Sequence, residues 1–173
     1  MQSFTDKTFG NKTFKDIEFV QEDFSNTQFL DCTFEHCLFT ACNFNKTKFQ
    51  HVMFKESKLI STNFSNCNAL FISLTFSECM LTGCSFNHLD MPKTKFSACK
   101  LDACSFVEAN LSDSTFEHTA LPECTFHKTN LSNADLSTAT ELSINPMLNT
   151  IKKAKFSMHE AMHLLDYFDI KIE

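Results

Sequence analysis

An apolar residue recurs at every fifth position over most of this chain, and that period excludes nearly every common fold. Phe fills positions 4, 9, 14, 19, 24, 29, 34, 39, 44, 49, 54 and 64, with Leu59 in the remaining place. After a two-residue slip near 67–71, at Ala69-Leu70-Phe71, the period resumes at Phe71, Phe76, Leu81, Phe86, Met91, Phe96, Leu101, Phe106, Leu111, Phe116, Leu121, Phe126, Leu131 and Leu136. That makes 27 repeats. A helix spaces its apolar face by about 3.6 residues and a strand by about 2, so neither explains a period of five. Each unit must contain its own turn. With two Gly and three Pro in the chain, residues other than Gly must make those turns.

If each unit is one side of a square, the central residue and the residue two before it point inward, and the other three face water. The position two before the centre must then be small. It holds Cys79, Cys84, Thr94, Cys99, Cys104, Ala109, Ser114, Thr119, Cys124, Thr129 and Ala134, with Leu74 and Leu89 as larger exceptions. Early on it holds Lys7, Lys12 and Glu22, which predicts a loosely closed first coil or two acting as a cap. Four sides make a coil of 20 residues, and the sequence repeats at that distance as well. Phe76, Phe96 and Phe116 form one column, Phe86, Phe106 and Phe126 the opposite one, and Leu81, Leu101 and Leu121 lie on a side between them. These six Phe are the predicted lumen, with large rings on two walls and smaller side chains on the others. The slip predicts a bulge or kink between two straight stacks.

The pattern A/C/T/S-x-F/L-x-x, clear in Cys32-Thr-Phe-Glu-His-Cys-Leu-Phe-Thr-Ala-Cys-Asn-Phe and in Ala134-Asp-Leu-Ser-Thr, resembles the pentapeptide-repeat family over about residues 2–138. The resemblance implies an all-β solenoid, a right-handed quadrilateral β-helix, and the spacings of five and twenty independently require something like it. At an inter-strand spacing of about 4.8 Å, the repeats make roughly seven coils and a rod on the order of 32 Å long. The expected organisation is a β-helix over 1–138, followed over 139–173 by a connector, a short capping α-helix and a terminal strand.

Ser157 and Glu160 read as a capping box ahead of Ala161, Leu164, Leu165 and Phe168 at helical spacing, which predicts a helix over about 158–168. Its apolar face would cover the open end of the last coil. The ending Glu-Ala-x-x-Leu-Leu-x-x-Phe-Asp-Ile-x-Ile resembles the C-terminal helix and strand of Qnr-type quinolone-resistance proteins. There that element makes a dimer interface, so the resemblance implies a homodimer through Leu164, Leu165, Phe168, Ile170 and Ile172.

His159-Glu160-Ala-Met-His163 is formally H-E-x-x-H, a zinc-hydrolase arrangement. Against it, Glu160 is expected to serve the helix cap and no third ligand follows at a useful spacing, so no catalytic or metal residue is assigned. Cys occurs nine times without a C-x-x-C pair, and eight of the nine fall on the small inward position, where Cys acts as a small hydrophobe. Reduced, buried thiols are expected, and no cofactor. No phosphate loop or Ser-His-Asp order stands out, and a rod with a filled lumen offers little pocket for a substrate, so the chain is read as non-catalytic.

The net charge is −6, and all 15 basic residues are Lys, which argues against direct nucleic-acid binding. The absence of a long apolar run and of a signal-like start predicts a soluble, cytoplasmic protein with no membrane contact. The Qnr-like ending implies a rod that mimics duplex DNA in the groove of a type II topoisomerase (DNA gyrase). Charge opposes this, since about 32 Å of duplex carries on the order of 19 negative charges. The alternative is a protein-interaction scaffold with another partner, and a zinc hydrolase through His159, Glu160 and His163 is the remote one.

Overall fold

The computed structural model describes residues 4–68, 70, 72–168 and 170, which form a four-sided parallel β-solenoid of about seven turns with one short C-terminal helix. Each wall is named here by its first central Phe. The Phe14 wall is a continuous parallel sheet from Thr13–Lys15 to Lys155–Phe156. The Phe9 and Phe19 walls begin as sheets of three and five strands and continue as single bridges, such as Asp90↔Asn110 and Ala120↔Thr140. The Phe24 wall is bridges throughout, from Asp23↔Asn43 to Ser105↔Thr125. There the chain turns within the repeat, as where the Thr27 N–H donates to the Phe24 carbonyl at 3.0 Å, leaving one residue free to pair between coils.

Partners lie 20 residues apart, as in Phe14↔Phe34 and Phe76↔Phe96, except across the slip, where Phe54 pairs with Phe76 and Leu59 with Leu81. Asn68 still donates in the early register, to the Thr47 carbonyl, whereas Leu74 already pairs with Val52 in the late one. The two extra residues are therefore absorbed between 68 and 74, on the Phe9 wall. Ala69 and Phe71, on which the expected bulge or kink falls, lie outside the described residues.

The turns are made without glycine. In most repeats the residue two after the central position has a left-handed backbone, as in Asp6, Asn11, Asp16 and His36, with φ between 52° and 57°. Gly83 is the one glycine so placed among the described residues. For an ordinary L-residue this conformation costs about 1 kcal/mol or more, so the ladder must hold it. Its N–H is what the conformation aims: Asp6 donates to the Ser25 carbonyl one coil on, Asn11 to Leu30, and Asp16 to Glu35. Tertiary pairing thus offsets local strain in most repeats.

The lumen is filled by stacked rings. Phe76 lies 5.0 Å from Phe96 with planes 4° apart, and Phe86 lies 5.1 Å from Phe106 at 5°. Rings on different walls meet edge to face, as in Phe76 and Phe86 at 6.0 Å and 83°. Both are favoured aromatic geometries. The small inward residues also use their polar atoms: Thr47 Oγ1 donates to the Phe24 carbonyl at 2.8 Å, Thr129 Oγ1 to Phe106 at 2.7 Å and Cys124 Sγ to Leu101 at 3.3 Å. A donor small enough for the lumen explains Cys, Thr and Ser there better than size alone. Phe4, Phe9 and Phe14, in the first coil, are only partly buried.

The coil geometry outlasts the repeat. Ala120↔Thr140 and Asn130↔Thr150 keep the 20-residue register, Lys155–Phe156 pairs with Asp135–Leu136, and Leu142 and Ile144 are buried. The stretch 139–153, expected as a connector, completes a further coil because backbone bridging to the coil below does not require the sequence pattern. A helix, Met158–Leu164, and a 3-10 turn, Leu165–Phe168, then cross the end.

The capping box forms by half. The Glu160 N–H donates to Ser157 Oγ at 3.2 Å, but the Glu160 side chain does not return to the cap. Its carboxylate is buried and accepts the Leu142 N–H at 3.1 Å, so it pins the helix onto the last coil.

Candidate functional site

The walls carry hollows such as the one lined by Asn26, Gln28, Lys46, Lys48 and Asn68, and a binding surface is sought on the corners, the walls and the ends. Phe76, Phe86, Phe96, Phe106, Phe116 and Phe126 are all buried and present nothing to a partner. Of the five residues assigned to a dimer interface, Leu164 packs partly against the core, Leu165 is half-buried, and Phe168 and Ile170 are exposed. Ile172 lies outside the described residues. The exposed apolar surface at this end is wider than that set and includes Met147, Leu148, Met158, Met162 and Tyr167. Met147 and Leu148 could not be assigned from the sequence, because a residue of the last coil faces outward only by virtue of that coil's register.

The same end holds a cleft of about 510 Å³ lined by Thr140, Ser143, His159, Glu160, His163, Asp166 and Tyr167. His159 and His163 lie 5.0 Å apart edge to face. His163 Nδ1 faces Asp166 at 3.3 Å, and Tyr167 Oη meets Ser143 Oγ at 3.1 Å, a contact with no signal in the sequence. Glu160, which a zinc hydrolase would need as its base, is turned inward onto Leu142. The trio forms no three-donor cluster among the described residues. The cleft is a polar seam between helix and coil.

All nine Cys are free and buried. Burial pushes the Cys37, Cys42 and Cys67 thiols up, away from the reactive thiolate form. They behave as core residues.

Several carboxylates meet Lys or His on a neighbouring coil. Lys128 meets Glu108 at 3.3 Å, Lys155 meets Asp135 at 3.0 Å, His51 meets Asp31 at 3.2 Å and His88 meets Glu108 at 3.2 Å. Ser137 hydroxyl and amide donors together with Lys155 hold the Asp135 carboxyl down at about 2. Lys128 similarly lowers Glu108. The Phe19 wall shows exposed Val20, Ile60 and Met80. No helix among the described residues is long and apolar enough to cross a membrane.

Comparison with known proteins gives matches of two kinds. The pentapeptide repeat region matches residues 69–145, and the pentapeptide repeats, in eight copies, match 23–55 and 32–68. Together these cover most of the solenoid. No curated protein matches the chain. Among solved structures, a trypsin-treated variant of QnrB1, a plasmid-mediated fluoroquinolone resistance protein, aligns with 98% of this chain and 92% of its own at 17% identity and a TM-score of 0.57. HetL, a pentapeptide repeat protein involved in heterocyst differentiation regulation from the cyanobacterium Nostoc, aligns with 88% of this chain and 89% of its own at 11% identity and a TM-score of 0.39. At such identities the QnrB1 likeness shows the fold alone.

Proposed function

This chain belongs to the pentapeptide-repeat family, and on that premise we propose that it is a non-catalytic, protein-binding rod that pairs through its C-terminal end. The doubled rod occupies a duplex-shaped groove in a type II topoisomerase. The observation that carries this reading is the gathering of Met147, Leu148, Met158, Met162, Phe168 and Ile170 on the exposed surface at one end. An apolar cap wider than one coil end needs is suited to a second copy, and a symmetric contact sets the same surface against itself. Two rods so joined span on the order of 65 Å, long enough for an extended groove. The QnrB1 likeness supports the choice of partner class through shape. Charge supports it less, because coil-to-coil pairs with Lys128 and Lys155 neutralise carboxylates that a phosphate mimic would leave free.

A second reading, a scaffold for a different protein, draws on the exposed Val20, Ile60 and Met80 of the Phe19 wall. One experiment separates the two. In a gyrase supercoiling assay with a quinolone, the intact protein should restore supercoiling, and Leu165→Asp combined with Phe168→Asp should abolish that effect while yielding monomers by light scattering. A dimer without any effect on the topoisomerase leaves the scaffold reading. A monomer at high micromolar concentration overturns the end-to-end assembly.

A further inference from the structure

The corner after the Phe14 wall carries Asp16, His36 and Glu56 on three successive coils, each with the left-handed backbone of the turn position. The coil repeat thus places one imidazole between two carboxylates. His36 Nδ1 faces Asp16 Oδ1 at 3.6 Å, and Nε2 lies 2.6 Å from Glu56 Oε2. Glu35, next to His36 on the wall, adds a further carboxylate. The ligating atoms of Glu35, His36 and Glu56 all fall within 4.8 Å of one another, the one such group of three found among the described residues. Their side chains are 22%, 41% and 34% exposed, open to a hydrated ion but rooted in a rigid backbone ladder. A cation is already drawn to the spot: Lys55 Nζ sits 3.4 Å from Glu35 Oε1 and 3.1 Å from Glu56 Oε1. This pairing holds both carboxyls below the usual carboxylate range.

The geometry points to a binding site for a divalent first-row transition ion of the zinc and cobalt class, with His36 Nε2, Glu56 and Glu35 as ligands. Imidazole with carboxylates suits these ions, whereas calcium and magnesium call for an all-oxygen shell. The ring is disposed as metal-binding histidines are. Both nitrogens face carboxylates, Nε2 that of Glu56 and Nδ1 that of Asp16. An ion on Nε2 replaces its proton to Glu56 and leaves the ring proton on Nδ1, toward Asp16, which acts as a positioning residue. The ion takes the place of the Lys55 ammonium between the two carboxylates. Because Glu35 and His36 belong to one coil and Glu56 to the next, the bound ion clips adjacent coils and raises the melting temperature by mass action.

The test is titration of the tag-free protein with Co²⁺, followed by calorimetry and the cobalt visible spectrum, and with Zn²⁺, followed by thermal unfolding. One ion should bind per chain with a rise in melting temperature. His36→Gln and Glu56→Gln should each weaken binding about tenfold or more, and Asp16→Asn on the order of tenfold. Lys55→Gln should tighten binding severalfold by removing the ammonium that bridges the two carboxylates, leaving Lys15 on Glu35 alone. Asp16, His36 and Glu56 are at corners and Lys55 ends a wall strand, all outside the lumen, and zinc-induced shifts of the His36 ring resonances in the unaltered protein give a second readout that needs no variant. The proposal is overturned if His36→Gln leaves the affinity unchanged, if binding is lost in His163→Gln instead, or if no saturable binding appears even in Lys55→Gln.

Discussion

The stack before the two-residue insertion and the stack after it share one backbone geometry but fill it differently. Before it, Phe occupies all four walls, and a ring such as Phe34 meets Phe14 and Phe54 along its column and Phe29 and Phe39 across the lumen. After it, Phe keeps two walls, so Phe106 meets Phe86 and Phe126 along its column and Phe96 across, while Leu101 and Leu111 complete the coil. The coil tolerates either filling because the walls are held by backbone pairing, and the side chains need only match the volume between them. Near the insertion the inward small positions grow. Val52, Leu74 and Leu89 are buried there, filling the lumen where the coil is two residues longer.

The comparison is broken most directly by removing rings. Phe34→Ala and Phe106→Ala should each cost about 3–5 kcal/mol, with Phe34 at the upper end because it loses more ring-to-ring contact. Chemical denaturation of both variants checks this, and equal losses would mean that area alone matters. A smaller effect is expected where the second stack meets the helix. Glu160→Ala strips the buried Leu142 N–H of its acceptor and should cost about 1–3 kcal/mol. Faster hydrogen exchange in Met158–Leu164, with the Phe14 wall still protected, would be the sign. Loss of protection throughout would mean that the helix is integral to the solenoid.

The smallest effect is a pH dependence. Asp135 is held at about 2, below its ordinary 3.8, by the Ser137 donors and Lys155. A lowered carboxylate contributes stability that is present above the unfolded value and is lost as pH falls through the folded one. Stability should therefore decline between about pH 4 and pH 2, and Asp135→Asn should flatten that decline. For a pair this exposed the difference should stay below about 1 kcal/mol. Asp23, lowered in the first stack by Ser25 and Asn43 rather than by Lys, should show the same trend with less dependence on salt.

The sequence by itself determined the repeat, the inward and outward assignment and the coil length, because Phe and Leu at spacings of five and twenty permit one consistent way to bury them. It also marked the insertion to within a few residues and placed Ser157 at the helix start, since a cap is a local device. What it could not carry was everything set by which residue lies one coil away. The half-built capping box is one case: Glu160 had a plausible local role, and the end of the last coil supplied a competing donor from Leu142. The continued coil over 139–153 is another, held by bridges such as Asn130↔Thr150 after the apolar repeat has gone. The Asp16, His36 and Glu56 corner is a third, three unremarkable surface residues until a 20-residue turn sets them in a column. Burial is written in each residue's own chemistry and repeats locally, whereas these contacts join side chains whose separation along the chain carries no energy until the ladder closes.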